Sequence, residues 1–404
     1  MHKIERLLQT LAPKGVEFRK LGEVCEILDN RRIPIAKNKR NPGIYPYYGA
    51  NGIQDYIDSY IFDGDFVLVG EDGSVINKDN TPVVNWASGK IWVNNHAHVL
   101  QTKNELKLKF LYFYLQTIDV SYCVAGTPPK INQENLKKIT IPIPPLEIQQ
   151  EIVKILDAFT ELNTELNTEL KARKKQYEYY QNMLLDFNDI NQNHKDAKMS
   201  AKPYPKRLQT LLQTLAPKGV EFRKLGEVCD FQKGKSITKK AVTFGKVPVI
   251  SGGRQPAYYH NEANRSGETI AISSSGVYAG YVSYWDIPVF LADSFSVSPK
   301  QKTLMPKYLF HYLTTQQDAI HATKSTGGIP HVYSKDLQNF LIPIPPLEIQ
   351  QEIVKILDQF SLLTTDLLAG IPAEIKARKK QYEYYREKLL TFKPLTPNKE
   401  VDKE

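Results

Sequence analysis

Cysteine is scarce: the 404 residues hold three. No two of them form a CxxC pair, which excludes a zinc ribbon and a dithiol redox motif. Cys25 and Cys229 occupy one position of a repeat and Cys123 stands alone. All three are expected to be reduced and buried in a cytoplasmic protein. Long apolar runs are missing too. None approaches the roughly 18 residues of a membrane span, and the opening MHKIERLLQT has no secretory core. Catalytic signatures are equally thin. Gly234-Lys-Ser236 looks like the end of a phosphate-binding loop, but the glycine required five residues earlier falls on Cys229. No GxGxxG follows a strand, and no Asn/Asp-Pro-Pro-aromatic motif of amino-methyltransferases occurs. Asp63, Asp65 and Glu71 lack the lysine that a nuclease cluster needs, so they read as turn residues. His96 and His98 share the face of one expected strand with no third ligand, so no metal is expected. No triad is legible. The chain is expected to be non-catalytic and to need no cofactor.

What is present is a repeat of about 200 residues. IPIPPLEIQQEIVKILD at Ile141 to Asp157 recurs letter for letter at Ile342 to Asp358. KARKKQYEYY at Lys171 to Tyr180 recurs at Lys376 to Tyr385, and QTLAPKGVEFRKLGEVC at Gln9 to Cys25 recurs at Gln213 to Cys229. A period this long makes the repeat unit a whole domain plus a helix.

The proline-rich start of the first block is extended, because each proline disfavours a helical residue before it. After Leu146 nothing breaks a helix until Asn188. Its apolar seam is Ile148, Ile152, Ile155, Phe159, Leu162, Leu166, Leu170, Arg173, Tyr177, Tyr180, Leu184 and Phe187. These steps of three and four make a heptad seam with one stutter between Leu162 and Leu170. The second copy runs from Ile349 to Phe392, with a kink expected at Gly370 and Pro372. Two helices of about 40 residues, roughly 60 Å each, are most simply an antiparallel pair.

The reading is an α+β chain with a pseudo-twofold internal repeat. Two globular domains of mixed α and β structure, 1–145 and 206–346, are separated by two antiparallel coiled-coil helices, 146–187 and 347–392. A polar linker spans 188–205 and a disordered tail 393–404. Between the repeated blocks, 26–125 and 230–326 share almost no identity but keep the same order of elements. Gly70-Glu-Asp-Gly73 matches Ser273-Ser-Ser-Gly276, and Gly126 to Asn132 matches Gly327 to Val332. A constant frame around a variable centre suggests two readers of different targets. The net charge of +9 and a pI near 9.0 favour an anionic partner. Polar and aromatic side chains on the expected loops and on the strands beside them suit base-edge and phosphate contacts. In the first domain these are Tyr47, Tyr48, Asn51, Asp72, Ser74, Asn95, His96, Thr127 and Lys130. In the second they are Ser251, Arg254, Tyr258, Ser274, Ser275, Tyr278, Ser294 and His331. The alternative is a two-headed adaptor that joins proteins.

LAPKGVEFRKLGEVC, IPIPPLEIQQEIVKILDAFTEL and ARKKQYEYY resemble the frame segments of the specificity subunit of type I restriction–modification enzymes. TELNTELNTEL at Thr160 to Leu170 is similar to a tandem four-residue repeat of one subgroup. The resemblance covers residues 9–392. It implies two target-recognition domains that each read half of a split, asymmetric sequence in double-stranded DNA. It also implies two modification subunits docked on the frame and restriction subunits joined through the complex, with methylation and cleavage done by those partners. Pro128-Pro129 departs from the glycine-rich form of the matching family loop.

Overall fold

The structure is a computed structural model that describes residues 2–73, 75–187, 204–300, 302–325, 328–365 and 370–395. Most of the expected linker and tail, and Ser74, lie outside the described residues. The chain divides into two compact units, Met1–Asn167 with Glu374–Glu404, and Thr168–Ala373.

In the first unit helix α1 (His2–Leu11) leads to strand β1 (Phe18–Lys20) and helix α2 (Leu21–Val24). β2 (Cys25–Ile27), β3 (Pro42–Gly49), β4 (Gly52–Ile57), β5 (Phe62–Gly70), β6 (Val84–Val93) and β7 (Ala97–Thr102) form one sheet in the order β2-β7-β5-β6-β3-β4. Period-two alternation along β5 decides its two faces. Val67 and Val69 pack with Phe110 and Leu111 of α3 (Leu108–Leu115). Phe66 and Leu68 pack with Ile91, Val93 and Val99 in a second core. α4 (Gln133–Lys138) is capped by the Asn132 side chain, which accepts from Asn135 N at 2.8 Å. β8 (Thr140–Pro142) then pairs antiparallel with β1, closing the domain where it opened.

Three expectations change here. Pro46 to Gly52 is a strand pair, not a glycine loop. Asp63-Gly64 lies inside β5, with Gly64 opposite Gly89, and is no turn. The strand expected over Lys90 to Leu100 is broken at residues 94–96, where β6 turns into β7. His96 therefore sits exposed in a turn while His98 points into the interior, and the two share no strand face.

Helix α5 (Leu146–Leu185) runs unbroken, as its sequence predicts. In the second unit α6 (Lys206–Leu215), β9 (Phe222–Lys224) and α7 (Leu225–Val228) repeat the opening. The sheet is split in two. β10 (Cys229–Lys233), β13 (Thr269–Ser273), β14 (Val282–Trp285) and β16 (Ser294–Pro299) take the order β10-β16-β13-β14. β11 (Val247–Ile250), β12 (Tyr258–His260) and β15 (Phe290–Leu291) take the order β12-β11-β15. α8 (Pro306–Thr315), α9 (Gln317–Ala322) and α10 (Ser334–Leu337) follow, and β17 (Leu341–Pro343) pairs with β9. α11 (Leu347–Thr365) and α12 (Ile371–Leu390) stand where one helix with a kink is expected.

The frame is built twice with the same bonds. Gln149 is fully buried: its side-chain oxygen accepts from Lys107 N at 2.8 Å and its amide donates to Glu105 O and Pro144 O. Gln350 repeats all three with Met305 N, Thr303 O and Pro345 O. Each glutamine pins its long helix to its own domain. Lys109–Asp157 at 2.9 Å returns as Lys307–Asp358 at 2.7 Å. Within the first unit Phe159 of α5 stacks on Tyr385 of α12 at 5.6 Å, and within the second Phe360 of α11 stacks on Tyr180 of α5 at 5.1 Å. Leu156 is the buried seam residue of its turn, and Ile155 beside it is half-buried.

Candidate nucleic-acid interface

In the first unit three chain segments meet at the end of the sheet: residues 71–73 after β5, the 94–96 turn and the 125–131 loop. Main-chain bonds knit them. Glu71 N donates to His96 O at 2.9 Å, Gly73 N to Pro129 O at 3.1 Å and Ile131 N to Glu71 O at 2.9 Å. Asp72 forms an antiparallel bridge with Lys130. The second unit ties the same knot. Ser274 N donates to Asp293 O at 3.0 Å, Gly276 N to Pro330 O at 3.0 Å and Val332 N to Ser274 O at 2.9 Å, and Ser275 bridges His331. Gly73 and Gly276 turn left-handed, with φ of 78° and 83°, as do Gly126 and Gly328 in the facing loops, with φ of 81° and 88°, where a side chain is disfavoured.

The backbone is shared and the side chains are not. His96 Nδ1 meets Asp72 Oδ1 at 2.5 Å in the first knot. In the second, Asp293 stands at the place of His96 and accepts from the Ser275 hydroxyl. Lys130 is replaced by His331, whose ring stacks on Tyr333.

Beneath the first knot lies a buried ion network. Arg32 Nη1 donates to Glu71 Oε2 at 2.6 Å and to Ala97 O, and Arg32 also pairs with Asp29 at 3.4 Å. His98 is fully buried, with Nδ1 2.6 Å from Asp29 Oδ2 and Nε2 2.8 Å from Ile131 O. Lys130 closes the cluster on Glu71 at 3.1 Å. Burial pushes the Asp29 and Glu71 carboxyls up. The bonds and charges of His98 and Arg32, with Lys130 on Glu71, outweigh it and hold both below their ordinary values. Asp29, Glu71 and His98 are close enough together to ligate a cation, but the Arg32 guanidinium already supplies the positive charge there. In the second unit the matching strand positions are Lys233, Ser274 and Phe295, and the place is a cleft of about 480 Å³ lined also by Asp293, His331 and Lys335.

Of the candidate residues, Asp72, Asn95, His96, Thr127 and Lys130 gather at the first knot. Ser274, Ser275 and His331 gather at the second, with Ser251 beside them through Ser273 Oγ, which donates to its carbonyl at 3.1 Å. Arg254 lies over the exposed Tyr278 at 5.0 Å. Asn51 is exposed at the β3–β4 turn, and Tyr258 is half-buried in β12, away from the knot. Three candidates are corrected. Tyr47 is fully buried, with its hydroxyl accepting from Ile35 N at 3.0 Å. Tyr48 belongs to the core of β5 and β6. Ser294 is buried and donates to Ile250 O at 3.0 Å. Tyr47 and Tyr48 are expected on a loop that is in fact a strand, and Ser294 lies at the start of β16; alternation turns all three inward. Sequence reading missed Arg32, Asp29 and Asp293. Only Asp293 left a signal, in the matching of strand ends between repeats.

A family model described as type I restriction modification DNA specificity domain matches twice, over residues 13–175 and 217–377. A putative type I restriction enzyme specificity subunit of Haemophilus influenzae is 37% identical over 402 residues, 96% of this chain and 98% of that one. The EcoR124I/EcoR124II specificity subunit of Escherichia coli is 29% identical over 98% of each chain. The crystal structure of the type I restriction-modification S subunit from M. genitalium covers 93% of this chain and 96% of its own at a TM-score of 0.65, with 20% identity, and shows the same fold. With two such domains, each on a repeated helical frame, the chain belongs to the family of type I restriction–modification specificity subunits.

Proposed function

We propose that the chain reads a bipartite, asymmetric sequence in double-stranded DNA, one half-site per unit, and that the two knots are the readers. One observation carries this: a knot closed by the same three main-chain bonds presents His96, Asp72 and Lys130 in one unit and Asp293, Ser275 and His331 in the other. Fixed backbone with exchanged donors and acceptors is what two readers of different base edges require. Asn51, Asn95, Thr127, Ser251, Arg254 and Tyr278 supply further contacts to bases or phosphates. The chain itself transfers no methyl group and cuts nothing. Two modification subunits dock on the repeated frame, because a surface built twice offers two equal seats, and restriction subunits join through that complex. The setting is cytoplasmic; no helix among the described residues is long and apolar enough to cross a membrane.

The test replaces residues 26–125 with the matching segment of another reader and maps methylated positions in the host genome. One half of the target should change while the other stays. A change in both halves, or salt-independent association with no defined duplex, refutes the reading and favours a protein adaptor.

A further inference from the structure

The second knot carries something the first does not. Val277 and Ile329 are 82% and 66% exposed, and each lies one residue beyond the Gly276 N to Pro330 O bond. Both therefore sit just outside the isolated bridge that joins Ser275 to His331, Val277 in the turn that follows the left-handed Gly276. A single exposed aliphatic residue needs no explanation. Here two branched ones are held at the tips of two loops locked by hydrogen bonds, on the face proposed to meet DNA. Cationic groups flank them: Arg254 over the Tyr278 ring at 5.0 Å and Lys335 over the Tyr333 ring at 5.5 Å. In the first unit Pro128 stands at the place of Ile329, and Val75, two residues past Gly73, is buried.

We infer that Val277 and Ile329 are specificity residues of the second reader and take the 5-methyl group of a thymine in the major groove. Thymine is the one base that presents an apolar group on that edge. An aliphatic pair that cannot hydrogen-bond discriminates there by covering a methyl and leaving no polar edge atom unpaired. The flanking cations match the phosphates on either side of such a base. The inference rests on the DNA reading proposed above.

The experiment uses the full chain with its modification subunits and the duplex defined by methylation mapping. Each thymine of the second half-site is replaced in turn by deoxyuridine, which removes only the methyl. At one position affinity should fall about fourfold, the worth of one methyl group covered from water. Thymines of the first half-site serve as controls. The double variant Val277→Ser with Ile329→Ser changes only exposed side chains, so it should fold. It should bind the thymine and deoxyuridine duplexes equally while its first half-site preference is kept. If deoxyuridine is silent at every position of a duplex that still binds specifically, or if the variant keeps the deoxyuridine penalty, the methyl contact is refuted and the DNA reading survives. A second half-site with no thymine on either strand refutes it as well. If no duplex is bound specifically, the DNA reading itself fails.

Discussion

Replacing Arg32 by methionine tests the network under the first knot. The side chains of Arg32, Asp29 and Glu71 are 12%, 8% and 13% exposed, so this is an interior cluster, not a surface pair. Methionine keeps much of the volume and removes the charge. Two carboxylates are then left facing each other with only Lys130, half-exposed, and His98 to balance them. Removing one partner of a buried ion cluster costs about 3–5 kcal/mol. The pH dependence gives the argument its sign. In the native protein both carboxyls titrate below their ordinary values. Their contribution is therefore complete above the unfolded values, about pH 4, and is lost only as pH falls through the folded ones. In the variant Glu71 loses the hydrogen bond that most offsets its burial, while Asp29 keeps His98, so the Glu71 charge becomes a liability at neutral pH that protonation relieves. The gap between the two proteins should be widest at pH 7 and should narrow toward pH 4.

Tryptophan fluorescence can follow this in one unit. Of the three tryptophans, Trp86 and Trp92 lie in the first unit and Trp285 in the second. A Trp285→Phe background reports on the first unit alone. Urea midpoints at pH 7 and pH 4 give the comparison. A penalty below about 1 kcal/mol at pH 7, the range of a surface pair, would refute the buried-ion argument, and so would a penalty that does not change with pH.

Gln149→Ala removes three hydrogen bonds from a fully buried site and should destabilise the first unit by about 3 kcal/mol, at about 1 kcal/mol for each bond; Gln350→Ala should do the same to the second, and urea unfolding of each unit measures both. Gly73→Ala forces a side chain into left-handed backbone and should cost about 1 kcal/mol while weakening binding to the first half-site only, which titration of half-site variants would show. Deleting Asn163 to Leu166 should leave both half-sites unchanged. Four helical residues are about 6 Å and a rotation of about 40°, so the unspecified spacer between the half-sites should shorten by one or two base pairs; full activity with an unchanged spacer would contradict this. Two side chains of the segment bond back along their own helix, Asn163 Nδ2 to Phe159 O at 2.9 Å and Thr164 Oγ1 to Thr160 O at 2.9 Å.

The helices were legible because their information is local. A heptad seam, a proline-rich start and the absence of breakers predict a helix from Leu146, and α5 runs to Leu185. The strands of the reader domains were harder. Glycine and tyrosine in Pro46 to Gly52 suggested a loop, yet Tyr47 and Tyr48 pair with Asp55 and Ile53 across an antiparallel ladder. Propensity yielded there also to the distant parallel partner β6, where Tyr47 and Tyr48 pair with Trp92 and Val93. The same held for Lys90 to Leu100, where alternation continues through a reversal and hides the turn at 94–96.

The knot shows where local reading stops and what replaces it. Its members come from three places in the chain, and the bonds that join them are between main-chain groups, which carry no side-chain signature. A single copy of the domain would have given no reason to connect Glu71, His96 and Lys130. The two copies supply part of the connection: the order of elements in the halves matches Gly70-Glu-Asp-Gly73 to Ser273-Ser-Ser-Gly276, and the hydrogen bonds of Glu71 and Ser274 repeat that match atom for atom. The ion network had no such help. Asp29, Glu71 and His98 correspond to Lys233, Ser274 and Phe295, so the repeat predicts nothing alike there. The physical reason is that the interior below a knot can be filled by paired charges or left as a cleft without moving the backbone above it. A scaffold that tolerates both can change what it presents to a ligand while its frame stays fixed.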